Sequence, residues 1–242
     1  MIAALATADP PDARARTEVF FRSFCATARE GTPLLRRIAA AYGELGERVV
    51  ADDDVRLFVT FLYQCARHFR PRIVVQTGTA AGTSSVALGL ALRDNGSGTL
   101  LTIDPEPPEY FGVPEPVAIA REAVSRAGLD RVVRFVRGYS TIPLDAGRMT
   151  LPRAARWRLA SLRGQPGVDM LVVDGDHTFL GCYLDLHYGH ACLAPDGPRV
   201  IVCHDYCGIP EVKQAIKRWE RTVRPRDMRL VPSPCGIRFL QV

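Results

Sequence analysis

The sequence has 242 residues, an apolar fraction of 47% and a charged fraction of 24%, which suit one globular α/β domain with a sizeable core. The net charge of +5 comes from scattered arginines rather than a basic stripe with interleaved aromatic residues, so nucleic-acid binding is not indicated. A mildly basic surface favours an anionic substrate or cofactor.

The first part of the chain carries apolar residues at helical spacing. Helices are predicted over residues 17–30, 33–46 and about 53–68. Asp52, Asp53 and Asp54 stand at the start of the third helix, where carboxylates cap free N–H groups and interact favourably with the helix dipole. We interpret the triple Asp as this cap. Residues 1–69 are predicted to form a helical cap or appendage, and residues 70–242 the main domain.

From residue 72 onward, short apolar runs alternate with helical patterns. The runs cover 73–75, 99–103, 132–136, 169–173 and 199–203, and the helical stretches cover 83–93, 115–128, 178–193 and 209–222. Apolar runs between helices indicate a parallel sheet covered on both faces. Residues 141–167 are either a helix inserted over the site or a variable surface loop.

The C-terminal segment "MRLVPSPCGIRFLQV" predicts two strands joined by a Pro/Gly connection. They would form an antiparallel hairpin at the sheet edge. The predicted fold class is therefore α/β: a Rossmann-like, doubly wound, mostly parallel sheet with an antiparallel C-terminal hairpin and a helical N-terminal appendage.

The cysteines and the N-terminus bear on the compartment. Seven cysteines are present, and no two have C-x-x-C spacing. This favours free thiols in a reducing compartment over a zinc ribbon or a disulfide framework. No signal peptide and no apolar run of membrane-spanning length is recognisable. We expect a cytoplasmic protein that binds neither nucleic acid nor membrane and that forms a homo-oligomer, a dimer or larger.

Doubly wound sheets bind ligands outside the carboxyl ends of their strands, so the residues after each apolar run are the candidate site residues. The first run leads into "QTGTAAGTSS", where Gly78 and Gly82 let the backbone approach a ligand and the next helix offers free N–H groups. The second ends at Asp104, which can accept hydrogen bonds from both hydroxyls of a ribose. This combination predicts a nucleoside-type cofactor. The glycine spacing departs from G-x-G-x-x-G and so argues against NAD.

The last three runs end in further small or ionisable residues. They lead into Gly138-Tyr139-Ser140, Asp174-Gly175-Asp176-His177 and His204-Asp205-Tyr206. The last two turns place carboxylates and imidazoles at strand ends that we expect to be neighbours. Asp176 is interpreted as a cap of the following helix.

Five segments resemble a known family: "VVQTGTAAGTSSVALGLAL", "LLTIDPEP", "VRGYS", "VDMLVVDGDHTFLGCYLDL" and "VIVCHDYCGIPEVKQAIKRW". They look like the class I S-adenosylmethionine-dependent methyltransferases over about residues 70–222. They are most similar to a branch with DGDH and HD(Y) segments, which is related to metal-assisted sugar O-methyltransferases and to cephalosporin-hydroxylase-like proteins. DGDH and HDY at this separation are more specific than the Gly-rich turn.

The resemblance implies an S-adenosylmethionine site. Gly78 and Gly82 would lie near the methionine part, Asp104 at the ribose, and Gly138 and Ser140 near the adenine. The expected cofactor-binding set is Gln76, Gly78, Thr79, Gly82, Thr83, Ser84, Asp104, Gly138, Ser140 and Asp174. Two positions depart from the family: an acidic residue is usual in place of Gln76, and an Asp is common in place of Tyr139. Gln76 carries no charge to pair with the methionine ammonium.

The resemblance also implies catalysis assisted by a divalent cation such as Mg²⁺ or Mn²⁺, with Asp174, His204 and Asp205 as the metal ligands and His177 as the base. His204 replaces an acidic ligand of the related enzymes, and imidazole suits Mn, Fe, Ni or Zn better than Mg. The alternative is that His204 forms a hydrogen bond at the strand end and no metal binds.

The leading hypothesis is an S-adenosylmethionine-dependent O-methyltransferase acting on a hydroxyl of a small molecule of the natural-product or sugar type. One alternative is a nicotinamide-dependent oxidoreductase, against which stand the glycine spacing and the absence of a Tyr-x-x-x-Lys pair near the fourth strand. The other is a degenerate cofactor-binding scaffold that serves as a partner subunit, which the uncharged Gln76 keeps open.

Overall fold

The structure, a computed structural model, describes residues 13–27, 32–140 and 167–242. The segment for which an inserted helix or a variable loop was considered lies outside these ranges, except for Gly167. Four helices precede the sheet: α1 (Ala13–Thr27), α2 (Thr32–Tyr42), α3 (Gly46–Val49) and α4 (Asp53–Phe69), with a 3-10 turn at Gly43–Leu45. None of the helices within the described ranges is long and apolar enough to cross a bilayer.

The rest of the chain alternates strands and helices as the apolar pattern predicts. The strands are β1 (Ile73–Thr77), β2 (Thr99–Asp104), β3 (Glu109–Tyr110), β4 (Val113–Pro114), β5 (Val133–Arg137), β6 (Met170–Val173), β7 (Val200–Cys203), β8 (Asp227–Val231) and β9 (Ile237–Gln241). The helices are α5 (Thr83–Asn95), α6 (Pro116–Arg126), α7 (Phe179–His190) and α8 (Pro210–Val223).

Seven strands form one sheet in the order β5-β2-β1-β6-β7-β9-β8, and β3 pairs with β4 in a separate hairpin. The first five strands of that order are parallel, whereas β9 runs antiparallel to both β7 and β8. The predicted Rossmann-like fold with its antiparallel C-terminal hairpin is confirmed. Within the hairpin, the last strand of the chain lies inside the sheet and β8 forms the edge.

Both faces of the sheet are covered by helices, which explains the uninterrupted apolar strands. Val74, Val172 and Val202 pack on one face in a core shared with α4 and α5. Val75 and Leu171 pack on the other face with α7 and α8. Successive residues of these strands thus enter opposite cores, so their apolar runs show no alternation.

The N-terminal helices belong to the first of these cores. Phe20 of α1 lies with its ring centroid 5.5 Å from that of Phe61 and 6.1 Å from that of Phe239. The Thr17 hydroxyl donates a hydrogen bond to Gln241 Oε1 at 2.6 Å. The apolar core is therefore continuous across the predicted boundary at residue 69.

Candidate active site

A cavity opens at the carboxyl ends of β1, β2, β5 and β6. Gly78, Asp104, Ser140 and Asp174 line it, and all four belong to the predicted cofactor-binding set. The cavity lies where a doubly wound sheet is expected to bind its ligand, because the strand ends leave a crevice between the flanking loops.

The two glycines of the Gly-rich turn serve different purposes. Both adopt positive φ, 80° at Gly78 and 85° at Gly82. A Cβ at Gly78 would collide with the carbonyl oxygen of Asp174, so the glycine lets the turn lie directly against the end of β6. A Cβ at Gly82 would instead collide with Ala120 of α6. Gly82 therefore permits packing of α6 and does not line the cavity.

Asp104 organises the wall of the cavity. Its carboxylate accepts hydrogen bonds from the backbone N–H groups of Thr79 at 2.8 Å, Ala80 at 3.2 Å and Glu106 at 2.7 Å. A carboxylate has about four acceptor positions, so about one remains for a ligand hydroxyl. Asp104 thus both fixes the Gly-rich turn and presents an acceptor to the cavity.

Gln76 does not reach the cavity. Its fully buried amide donates to the Gly78 carbonyl at 2.6 Å and to Ser84 Oγ at 2.8 Å, and its Oε1 accepts from Ser85 Oγ at 3.1 Å. A carboxylate at this position could not donate to the Gly78 carbonyl. The amide is therefore suited to bracing the turn from within, and its lack of charge follows from that role.

The other predicted cofactor residues lie either in and after the Gly-rich turn or in the turn that follows β5. The Thr79 hydroxyl bonds to Thr102 Oγ1 at 2.6 Å and is buried behind the turn. Thr83 is the first residue of α5. Gly138 follows β5 with a φ of 137°, and Ser140 donates to Asp185 Oδ1 of α7 at 2.7 Å. Of these residues, Ser140 alone is part of the cavity wall.

Beside this cavity, the ends of β6 and β7 bring together four ionisable side chains. Val173 pairs with Cys203, and the His204 N–H donates to the Val173 carbonyl at 3.1 Å, so Asp174 and His204 emerge side by side. His204 Nδ1 lies 3.3 Å from both Asp174 Oδ1 and Asp205 Oδ2. His177 Nε2 lies 3.0 Å from Asp205 Oδ2 and 3.9 Å from Asp174 Oδ1. The cluster contains the predicted base and all three predicted metal ligands.

The backbone at Asp205 contributes to this convergence. Its φ of 58° lies in the left-handed region, which Asp tolerates better than most residues. Strain of this kind is concentrated at functional sites.

The charges of the cluster are strongly coupled. The carboxylates of Asp174 and Asp205 raise the pKa of His177 to about 9. Burial lowers the pKa of His204, but the same two carboxylates outweigh it and raise that pKa to about 11. Burial raises the pKa of Asp205, and the two imidazoles outweigh it and lower that pKa. With no charges present other than those of the protein, His177 and His204 are therefore both protonated at neutral pH. Their positive charges offset the negative charges of the carboxylates.

The donor set of the cluster fits one divalent cation. His204 Nδ1 lies 3.3 Å from an oxygen of both Asp174 and Asp205, and these three residues offer the ligands. His177 offers a nitrogen within 4.8 Å of the same two carboxylates, close enough to act as a base beside the cation. Buried His177 Nε2 has no aligned hydrogen bond to any residue in the described part of the chain, despite its closeness to Asp205. Mixed oxygen and nitrogen donors suit Mn, Fe or Zn better than Mg.

Asp54 is a member of this region that the sequence interpretation missed. The N-cap of α4 is Asp52, whose carboxylate accepts from the N–H groups of Asp54 at 2.8 Å and Val55 at 3.1 Å. The Asp54 side chain instead contacts His204 Nε2 at 2.8 Å. The capping interpretation is therefore right for Asp52 and wrong for Asp54. The only sign of this role in the sequence was the presence of three Asp residues where one carboxylate is enough to cap the helix.

The interpretation of Asp176 as a helix cap needs a similar correction. Thr178 is the N-cap of α7, and its hydroxyl accepts from the Gly181 N–H at 3.1 Å. Asp176 Oδ1 accepts from the Thr178 N–H at 2.9 Å and so stabilises the turn before the helix.

Residues 75–206 match the family model described as a methyltransferase domain. The chain belongs to this family. It is a class I S-adenosylmethionine-dependent methyltransferase, as the sequence segments indicated. This assignment favours methyl transfer over both the nicotinamide-dependent and the non-enzymatic alternatives. No curated protein matches this chain in sequence.

Solved structures of other methyltransferases share its fold. An O-methyltransferase from Bacillus cereus in complex with SAH is 16% identical, with a TM-score of 0.57 over 90% of this chain and 91% of that one. The O-methyltransferase TomG from Streptomyces achromogenes, involved in tomaymycin synthesis and in complex with SAM, is 20% identical, with a TM-score of 0.55 over 86% and 88%. A methyltransferase from Geobacter sulfurreducens is 21% identical, with a TM-score of 0.56 over 85% and 87%.

Proposed function

We propose that this methyltransferase transfers a methyl group from S-adenosylmethionine to a hydroxyl of a small molecule. The observation that carries the proposal is the convergence of Asp174, His177, His204 and Asp205 beside the cofactor cavity. Such a cluster can bind a hydroxyl and take its proton. The names of the B. cereus and S. achromogenes neighbours, both O-methyltransferases, support oxygen as the acceptor atom.

The cavity residues suit the parts of the cofactor in the order of the strands. Gly78 lets the methionine part approach the turn, Asp104 accepts a ribose hydroxyl, and Ser140 lies beside the adenine, with Gly138 in the turn that leads to it. S-adenosylmethionine supplies the methyl group on a positively charged sulfur. Asp174 belongs to both the cavity and the cluster, so its carboxylate would favour the positive charge of a bound cofactor close to the residues that would hold the acceptor hydroxyl.

His177 is the proposed general base. When bound, S-adenosylmethionine would supply the methyl group to the acceptor oxygen and leave as S-adenosylhomocysteine, and His177 Nε2 would take the hydroxyl proton. This role requires a neutral imidazole, whereas the adjacent carboxylates favour the protonated form. A divalent cation held by Asp174, His204 and Asp205 would supply charge that keeps His177 neutral and lowers the pKa of the hydroxyl.

The acceptor side of the cavity carries an aromatic ring. Tyr110 lines the cavity, and the carboxylates of Asp174 and Asp205 act on its hydroxyl, so its ring is the one associated with the ionisable cluster. Faces of this kind pack against sugar rings and against aromatic natural products. We therefore extend the proposal to acceptors of the sugar or natural-product type. Homo-oligomerisation stays a prediction that sedimentation of the purified protein tests.

The test is turnover with an isotope-labelled methyl donor on a panel of small hydroxylated acceptors, with the product identified by NMR. We expect methylated oxygen, loss of turnover in a chelator, and recovery with Mn²⁺ or Zn²⁺. Methylation of nitrogen or carbon alone would contradict the proposal. Full turnover in the chelator, with no metal found by elemental analysis, would show that the reaction needs no cation. Catalysis would then depend on His177 alone.

A further inference from the structure

Asp54 contacts the ionisable cluster from α4 and does not line the cavity. It lies in the first turn of α4, yet its buried carboxylate reaches the end of β7. Asp54 Oδ2 lies 2.8 Å from His204 Nε2, and Asp54 Oδ1 accepts a hydrogen bond from the Cys235 N–H at 3.1 Å. Both carboxylate oxygens thus have fixed partners.

The same helix holds the His204 ring through a second contact. Phe58 lies one turn after Asp54 on α4, and its ring stacks on the imidazole with the centroids 4.1 Å apart and the planes 19° apart. The stacking fixes the plane of the imidazole, and the Asp54 contact fixes its rotation within that plane. Helix α4 therefore determines where the other ring nitrogen points.

The consequence concerns His204 Nδ1. Because Asp54 is an acceptor, the Nε2 facing it carries a proton. In a neutral imidazole the lone pair then resides on Nδ1, which faces the point where Asp174 and Asp205 converge, 3.3 Å from each. A carboxylate that orients a metal-binding histidine through its remote nitrogen sets the tautomer and strengthens the ligand.

We propose that Asp54 is a positioning residue of the methyltransferase. It holds His204 in the Nε2–H tautomer with Nδ1 directed at Asp174 and Asp205, and it thereby strengthens binding of a divalent cation. The inference rests on the cation of the proposed function. It adds that α4, which precedes the sheet, forms part of the active site.

Asp54→Asn provides a selective test. The Asn oxygen must accept from the Cys235 N–H, because the amide nitrogen cannot, and this turns the amide N–H₂ toward His204 Nε2. Nε2 then has to accept, the proton moves to Nδ1, and the lone pair for a metal is lost. Asp53→Asn is the matched control, since Asp53 is the neighbouring residue on α4 and its side chain is 91% exposed.

Binding of Mn²⁺ alone, followed by the electron paramagnetic resonance signal of the free ion, gives the affinity. We expect Asp54→Asn to weaken Mn²⁺ binding about 10- to 100-fold, in line with other residues that orient metal ligands. Asp53→Asn should bind like wild type. Affinity for S-adenosylhomocysteine, measured by calorimetry, should be unchanged in both variants, which a general folding defect would not allow.

Nitrogen-15 NMR of the histidine side chains in the Zn²⁺-loaded protein gives the tautomer directly. We expect a protonated Nε2 at His204 in wild type and in Asp53→Asn, and loss of this signature in Asp54→Asn. Should Asp54→Asn not fold, Phe58→Leu keeps the carboxylate but loosens the ring, and we expect it to weaken Mn²⁺ binding as well.

The outcomes separate the inference from the function on which it rests. Wild-type affinity and an Nε2–H tautomer in Asp54→Asn would overturn the role of Asp54 and leave the proposed function intact. If Mn²⁺ affinity were retained in the Phe58→Leu fallback, it would overturn the role of α4 in the same way. A wild-type protein that binds neither Mn²⁺ nor Zn²⁺ would overturn both the inference and the metal-assisted part of the proposed function, whereas methyl transfer itself is decided by turnover.

Discussion

Asp104 has a structural and a binding role at once, and the two roles have separate measurable effects. Asp104→Ala removes the acceptor of three backbone N–H groups and the proposed partner of the ribose. We expect weaker S-adenosylmethionine binding by calorimetry, and a lower free energy of unfolding in urea by about 1–3 kcal/mol, since buried donors lose their partner. Asp130→Ala, at an exposed position, is the control. Unchanged cofactor affinity would place the ribose elsewhere.

His177 has the geometry of a base within the cluster. His177→Gln keeps a polar side chain of similar length but cannot take a proton at neutral pH. We expect turnover to fall about a hundred- to ten-thousandfold, with affinity for S-adenosylhomocysteine kept. His187→Gln, on the exposed side of α7, should leave turnover unchanged. Near-normal turnover of His177→Gln from pH 6 to 9 would show that another group removes the proton.

The residues that the sequence identified lie at the ends of strands or in the turns that follow, because the fold places every parallel strand end at one edge. Asp174, His177, His204 and Asp205 were predicted on that basis and lie together. Asp54 could not be found in this way, since its contact with His204 joins positions 150 residues apart through the packing of α4 on the sheet. Gln76 was expected in the cofactor-binding set, because the sequence does not show that its amide is fully buried in a hydrogen-bonded turn.

The hairpin of β3 and β4 contributes to the wall of the cavity. Tyr110 of β3 lines the cavity, and Phe111 at the hairpin tip is 88% exposed with its ring centroid 4.5 Å from that of Tyr110. Burial raises the pKa of Tyr110, and so do the carboxylates of Asp174, Asp205 and Asp104. The hairpin therefore places the Tyr110 ring in the cavity wall, where the carboxylates of the ionisable cluster act on its hydroxyl.

Replacement of Tyr110 tests this placement. Removal of an aromatic contact is worth about 0.5–1.5 kcal/mol, so we expect Tyr110→Ala to raise the KM for the acceptor about 2- to 10-fold. Tyr110→Phe keeps the ring and should stay close to wild type if packing is what matters. Equal losses in the two variants would instead assign the effect to the hydroxyl. Steady-state kinetics with the acceptor varied at saturating cofactor distinguish these results.

Sequence patterns predicted the larger elements well because each of them buries an apolar face. The expected strands and the helices between them all occur in the structure, with ends that differ by only a few residues. The β3–β4 hairpin was not predicted, since strands of two residues are too short to show a period of two. The order β7-β9-β8 was also not predictable, because either strand of a hairpin can pair with the sheet edge without changing the apolar pattern.

At the scale of the whole molecule, the N-terminal helices and the C-terminal strand stabilise each other. Phe20, Phe61, Phe69 and Phe239 form one aromatic cluster that joins α1, α4 and β9. Arg229 of β8 adds an ion pair with Glu18 of α1 at 3.0 Å. Since α4 also carries Asp54, the stability of this cluster and the geometry of the active site depend on the same helix.

This arrangement predicts that the described part of the chain unfolds as one cooperative unit rather than as an appendage followed by a domain. Phe20→Ala removes a ring that is 2% exposed, and we expect it to lower the free energy of unfolding by about 3–5 kcal/mol. Val19→Ala, at a neighbouring position that is 58% exposed, should change it by no more than about 0.5 kcal/mol.

The probe for this prediction is Trp219, which is buried in the core on the opposite face of the sheet from Phe20. In a Trp157→Phe background, its fluorescence reports urea unfolding of that second core alone. If α1 is integral to the fold, Phe20→Ala shifts the Trp219 transition to lower urea concentration, together with the transition seen by circular dichroism. If residues 1–69 form an independent appendage, the Trp219 transition keeps its wild-type midpoint while circular dichroism shows an earlier separate step.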